Sequence, residues 1–150
     1  MREEDYDLEP SPFRDPQTIM KRNMSLQWAL QDAMQSARGR GEFASGVHSA
    51  AEQLDQNPDD VVLCILVDNK RADPGIQVHC RLIEAFCWEF PIPVIKVDSS
   101  IKLMFLAGYS WNHPDTIHCF LIKGNNSSGP SMEKLLRFSQ QVPAPLLKLA

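Results

Sequence analysis

The spacing of apolar and polar positions changes character along the chain, and each change marks an element. Leu26, Ala29, Leu30, Ala33, Met34 and Ala37 recur at three- and four-residue steps, which is the period of one helix face. Asn23 or Ser25 is placed to cap that helix, and Gly39 and Gly41 to end it. Val47, Ala50, Ala51 and Leu54 predict a second helix over 45–56, closed by the approach to Pro58. The unbroken run from Val61 to Val67 is apolar and rich in β-branched residues, and acids and Asn69 bound it, so it predicts a strand buried on both faces. A helix over 76–90 stopped by Pro91, a strand over 94–97 and a short helix over 101–106 capped by Asp98 or Ser99 come next. A strand over 116–123 and a last helix to about 141, capped by Ser131, complete the pattern.

Strands alternating with helices predict an α/β fold, a three-layer α/β/α sandwich with a small mixed sheet flanked by helices on both faces. Residues 1–20 carry Pro10, Pro12 and Pro16 among charges with no apolar period, so they are expected to be a disordered acidic arm. The folded domain is expected over 21–142, with a C-terminal tail over 143–150.

One helix has two apolar faces. At 100° per residue, Ile76, His79, Cys80, Ile83, Phe86, Cys87 and Phe90 gather on one stripe, expected to lie on the sheet. Val78, Leu82 and Ala85 form a second apolar group, with Gln77, Arg81 and Glu84 as a narrow polar edge. The second group needs a cover: another helix of the same chain, or a second subunit meeting it around Leu82.

Charge sharpens the picture. The formal net charge of the 150 residues is −4, and the first sixteen hold six acids against two bases, which leaves 13 of each sign for 17–150. A neutral domain lacks the clustered Lys and Arg that phosphate-backbone binding requires, so the charge pattern argues against nucleic acid as a partner. The start Met1-Arg2-Glu3-Glu4 lacks the apolar stretch of a secretory signal, and no apolar run approaches the roughly 20 residues of a membrane helix, so an intracellular, soluble protein is expected. Cys64, Cys80, Cys87 and Cys119 lie in apolar segments without a Cys-x-x-Cys pair, as expected of buried, reduced thiols.

Candidate chemistry is thin. His79-Cys80 and His118-Cys119 are sequence neighbours, but neighbours on a strand face opposite ways and on a helix lie 100° apart, so neither pair is a ready nucleophile and base. His48, His79, His113 and His118 have no zinc spacing with the cysteines, and His79 is expected to be a satisfied core histidine. Gly39-Arg40-Gly41 ends a helix instead of following a strand, so it is no phosphate loop. No catalytic residue, metal or cofactor is expected. Tyr109-Ser110-Trp111-Asn112-His113 is the most aromatic loop, able either to cover the sheet edge or, through Trp111, to anchor a partner.

Three stretches carry a resemblance. Asn57-Pro58-Asp59-Asp60-Val61-Val62-Leu63-Cys64-Ile65-Leu66, then Ile76-Gln77-Val78-His79 with Leu82-Ile83-Glu84-Ala85-Phe86-Cys87, then Ile117-His118-Cys119-Phe120-Leu121-Ile122, follow in order and spacing those of the growth-arrest and DNA-damage-inducible stress-sensor family. The chain resembles a divergent member of that family. The resemblance implies a non-enzymatic adaptor on the ribosomal-protein-like kink-turn-binding fold, acting in stress response, growth arrest, DNA-damage response and apoptosis, in nucleus and cytoplasm. It implies homodimers or family heterodimers. It also implies binding to a MAP kinase kinase kinase, a MAP kinase kinase, a cyclin-dependent kinase with its cyclin, a cyclin-dependent kinase inhibitor and the replication sliding clamp. The family's dimer helix falls on 77–90, so Gln77, Val78, Arg81, Leu82 and Ala85, with Val47 and Ala50 from the preceding helix, are the interface positions. Partner-binding loops fall on Asp68, Lys70, Arg71 and Asp73, and on Trp111. The family's loop after the central strand is strongly acidic, whereas 68–75 here holds two acids and two bases. RNA binding is the alternative that the fold brings. The kink-turn binders' Asn, Glu and Lys are missing at Gly46-Val47-His48-Ser49-Ala50-Ala51-Glu52, and Glu52 places negative charge where a phosphate would approach.

Overall fold

In a computed structural model of the chain, the described residues are 16–68, 73–110, 113, 116–124, 129–141 and 145–149. They form five α-helices and a five-stranded sheet: α1 (Pro16–Gly39), β1 (Phe43–Ser45), α2 (Val47–Gln56), β2 (Val61–Val67), α3 (Pro74–Glu89), β3 (Val94–Val97), α4 (Ser100–Leu106), β4 (Cys119–Lys123), α5 (Pro130–Ser139) and β5 (Leu146–Leu147), with a 3₁₀ turn at Pro58–Asp60 before β2. The sheet order is β1-β4-β2-β3-β5. β4 is antiparallel to β1 and β2, while β3 is parallel to β2 and β5, so the sheet is mixed and the α/β/α sandwich is observed.

The pleat of β2 divides the core in two. Leu63, Ile65 and Val67 face a layer built by α1, α4 and α5, where they meet Leu30, Met34, Leu103, Leu135 and Phe120. Cys64 and Leu66 face the opposite layer of α2 and α3, where they meet Ala50, Leu54, Ile83, Cys87, Cys119 and Leu121. A register irregularity between Val61 and Leu63 turns Val61 onto the α2/α3 side with Cys64. The expected stripe of α1, from Leu26 to Ala37, is buried throughout.

Several boundaries differ from expectation. The first helix starts at Pro16, so 16–20 belong to it and neither Asn23 nor Ser25 is its cap; of the expected acidic arm, 1–15 lie outside the described residues. Gly129, not Ser131, precedes α5, and that helix ends at Ser139. β4 begins at Cys119 rather than at 116, although Ile117 is buried and its amide donates to Met104 Sδ at 3.4 Å. β1 is a strand where none was expected, and Gly46 links it to α2 at φ 93°, a left-handed turn that glycine adopts without a Cβ clash.

The largest correction is the C-terminal tail. The Lys96 amide donates to the Pro145 carbonyl at 2.8 Å, the Leu149 amide to Asp98 Oδ1 at 2.9 Å, and Lys102 Nζ to the Leu149 carbonyl at 3.2 Å. Leu147 and Leu149 are buried against the α1/α4/α5 core. Residues 145–149 are thus part of the domain. Among the described residues, no helix is long and apolar enough to cross a membrane.

Candidate functional site

The two-faced helix is α3. Asp73 caps it, its carboxylate accepting from the Gly75 amide at 3.1 Å, and Pro74 follows in the first turn, where a missing N–H costs nothing. Ile83 and Cys87 are buried on the sheet, and Cys80 is half-buried beside them. Glu84 reaches back to Lys96 of β3 at 3.1 Å, which fixes the rotation of the helix on the sheet.

That rotation leaves the second apolar group bare. Leu82 is 63% exposed and Val78 54%, with Ala85 and Arg81 exposed beside them and Gln77 half-buried at the edge. Among the described residues, no helix covers Leu82. Trp88, seven residues after Arg81 and so on nearly the same side, is also exposed and widens the surface. Periodicity missed it because the polar edge at Arg81 and Glu84 hid an aromatic two turns on.

α2 packs along the other flank of α3 and leaves a groove of about 280 Å³ between them, lined by Val47, His48, Ala51, Leu54, Asp55, His79, Leu82, Ile83 and Phe86. The sequence stripe is corrected here. His79 is exposed at the groove rather than a core histidine, and Phe90, expected on the sheet, is 44% exposed and stacks on Phe86 with centroids 4.5 Å apart. The physical reason is angular: His79 and Phe86 sit on the flank turned toward α2. Val47 lines the groove, but Ala50 is fully buried, so it belongs to the protomer's own core and not to a surface a partner can reach. On α2 the core side runs through Ala50 and Leu54, and the groove side through Val47, His48, Ala51 and Asp55.

Below the groove lie the thiols. Cys64, Cys87 and Cys119 are buried and free. Hydrogen bonding with Cys119, then with Cys87, and then burial hold the Cys64 thiol well above its usual range. Burial first, and then the charges of Cys119 and Glu84, push Cys80 up to about 11. These shifts keep the Cys64 and Cys80 thiols protonated at neutral pH, the opposite of what activates a cysteine nucleophile. Desolvation pushes His118 down. Among the described residues no group of three or more His, Cys, Asp or Glu is arranged to hold a metal ion.

Of the expected partner loops, Asp68 and Asp73 are exposed, while Lys70, Arg71 and Trp111 lie outside the described residues. Tyr109 folds back: its hydroxyl is 3.0 Å from Ser45 Oγ, its ring lies 6.1 Å from that of Phe120, and the Arg38 guanidinium sits 4.1 Å over it. It covers the β1 end of the sheet, the packing role weighed for this loop.

These features define a small α/β/α protein that, among the described residues, leaves an apolar face of α3 exposed. No protein-family profile matches the chain. It is similar to growth arrest and DNA damage-inducible protein GADD45 gamma of Mus musculus, 32% identical over 120 residues that cover 75% of this chain and 76% of that protein. GADD45 alpha of Cricetulus griseus is 31% identical over 129 residues, covering 75% and 78%. Among solved structures, the Giardia lamblia 15.5kD RNA binding protein superposes with a TM-score of 0.56 at 18% identity, covering 86% of this chain and all of that one, a likeness of fold. The chain belongs to the GADD45 family of growth arrest and DNA damage-inducible proteins, a stress-response family.

Proposed function

We propose that the protein is a non-enzymatic stress-response adaptor that dimerises through α3 and regulates MAP kinase cascade kinases and cell-cycle proteins by binding alone, in nucleus and cytoplasm. The observation that carries this reading is the bare face of Val78, Leu82 and Ala85, which the described helices leave to solvent on the helix where the family resemblance puts its dimer contact. An apolar surface of this kind is typically an interaction site. The partners are a MAP kinase kinase kinase, a MAP kinase kinase, a cyclin-dependent kinase with its cyclin, a cyclin-dependent kinase inhibitor and the replication sliding clamp. Binding acts on them by occluding a surface or by favouring a state freed of autoinhibition, which requires complementary surfaces and differential affinity but no bond making.

The test is capture from stressed and unstressed cells with the wild type and with Leu82→Glu as bait. Recovery of a kinase of the MAP kinase cascade by the wild type, reduced by the substitution, is the expected result. Wild-type bait that recovers none of the named partner classes from stressed cells would refute the reading.

A further inference from the structure

The groove between α2 and α3 is apolar along most of its length, and His48, His79 and Asp55 are its polar lining residues. His48 sits one residue into α2 and His79 in the second turn of α3; both are exposed, with ring centroids 6.0 Å apart and planes inclined at 63°. Asp55 lines the same groove, and no Lys or Arg is among its described lining residues, so no fixed cation there opposes a bound one. We propose that His48 and His79 form a two-histidine clamp for a divalent transition ion of the zinc class, bridging α2 to α3.

Zinc–imidazole bonds of about 2.0–2.1 Å at a tetrahedral angle place two ligand ring centroids roughly 5 Å apart. From the observed 6.0 Å, the rings close by about 1 Å. Side-chain torsions supply that movement, because both rings lie at the surface and neither is held in a packed core. Imidazole nitrogen suits zinc, copper and nickel, whereas calcium and magnesium prefer oxygen. Since no third protein ligand is in place among the described residues, water fills the remaining positions. The ion is therefore exchangeable, unlike a four-ligand structural zinc. Its ligands come from two helices of one protomer, so the clamp needs no second copy of the chain, although Val47 and Leu82 of the same groove belong to the proposed dimer face.

The full chain has four histidines, His48, His79, His113 and His118, whose ring nitrogens are observable separately in long-range proton–nitrogen correlation spectra. Titration with zinc chloride is expected to shift His48 and His79 together along one isotherm. His48→Gln and His79→Gln are each expected to weaken that isotherm by roughly tenfold or more, since one ligand of two is lost. Both variants should melt like the wild type without zinc, because both side chains are exposed. Wild-type affinity in either variant, equal shifts at His113 and His118, or no shift at either clamp residue would overturn the assignment.

Discussion

Replacing Leu82 by Glu separates the stability of the protomer from the association of protomers. Leu82 is 63% exposed in the single chain, so the charge adds little burial cost there, and Leu and Glu have similar helix propensities. The protomer should therefore keep its melting behaviour within about 0.5 kcal/mol. Association is another matter. Full burial of a leucine contributes about 1.5–3 kcal/mol, and 63% of it remains to be gained, so each copy contributes roughly 1–2 kcal/mol and a symmetric pair roughly 2–4 kcal/mol. At about 1.4 kcal/mol per decade, the substitution weakens the dimer by roughly 30- to 700-fold. That is a lower bound, because two like carboxylates meeting across a two-fold axis repel each other. Sedimentation velocity over a wide range of loading concentration, with circular dichroism melts beside it, measures both quantities. A wild type that stays monomeric at every concentration, or a variant that associates like the wild type, refutes the assignment of this face. A variant that melts markedly lower refutes the claim that the protomer leaves Leu82 uncovered.

Tyr109→Phe removes the hydroxyl contact to Ser45 and should cost about 1 kcal/mol in a urea melt, with the ring still packed beneath Arg38. Ending the chain after residue 145 exposes the sites of Leu147 and Leu149, both nearly fully buried, and should cost roughly 3–6 kcal/mol, read as a large fall in the urea midpoint. The folded state holds protons on Cys64 and Cys80 that the unfolded chain sheds above roughly pH 8.5. Their contribution is therefore full below that pH and is lost as pH rises toward the folded Cys80 value of about 11, so urea midpoints should fall between pH 8 and 10, and a Cys80→Ser variant should fall less steeply.

What could be read from the sequence depended on how far a pattern runs. Six apolar positions over three turns were enough to define the buried side of α1, and the unbroken run of β2 marked a central strand, because both periods repeat several times within one element. β1 and β5 have three residues and two, too few for any period to show. β5 forms because the Pro145 carbonyl happens to meet the Lys96 amide across space, a long-range pairing that Pro143 and Pro145 in the sequence argue against. The exposed face of α3 was legible, since Val78, Leu82 and Ala85 stand apart from the sheet stripe. Its flank was not. Whether His79 lies on the sheet or beside α2 is decided by a rotation of a few tens of degrees, which the Glu84–Lys96 bridge and the packing of α2 set.

The division of the core by the sheet bears on how the proposed adaptor would work. Leu82 and Val78 stand on the α2/α3 layer, whereas Ile101 and Phe105 of α4 and Trp28 of α1, also largely exposed, stand on the opposite layer. The sheet lies between the two layers, and its residues in β2 and β4 are nearly all buried. Covering one apolar face therefore does not obstruct the other, and the proposed dimer through α3 would present two outward copies of the α1/α4 layer. A protein that acts by holding partners needs this separation, because a single shared face would make dimerisation and partner binding compete. Charge does not supply the second contact on its own. The acids in excess lie in the first sixteen residues, and the loop after β2 holds two of each sign, so attraction to a basic partner and apolar contact with it come from different parts of the chain.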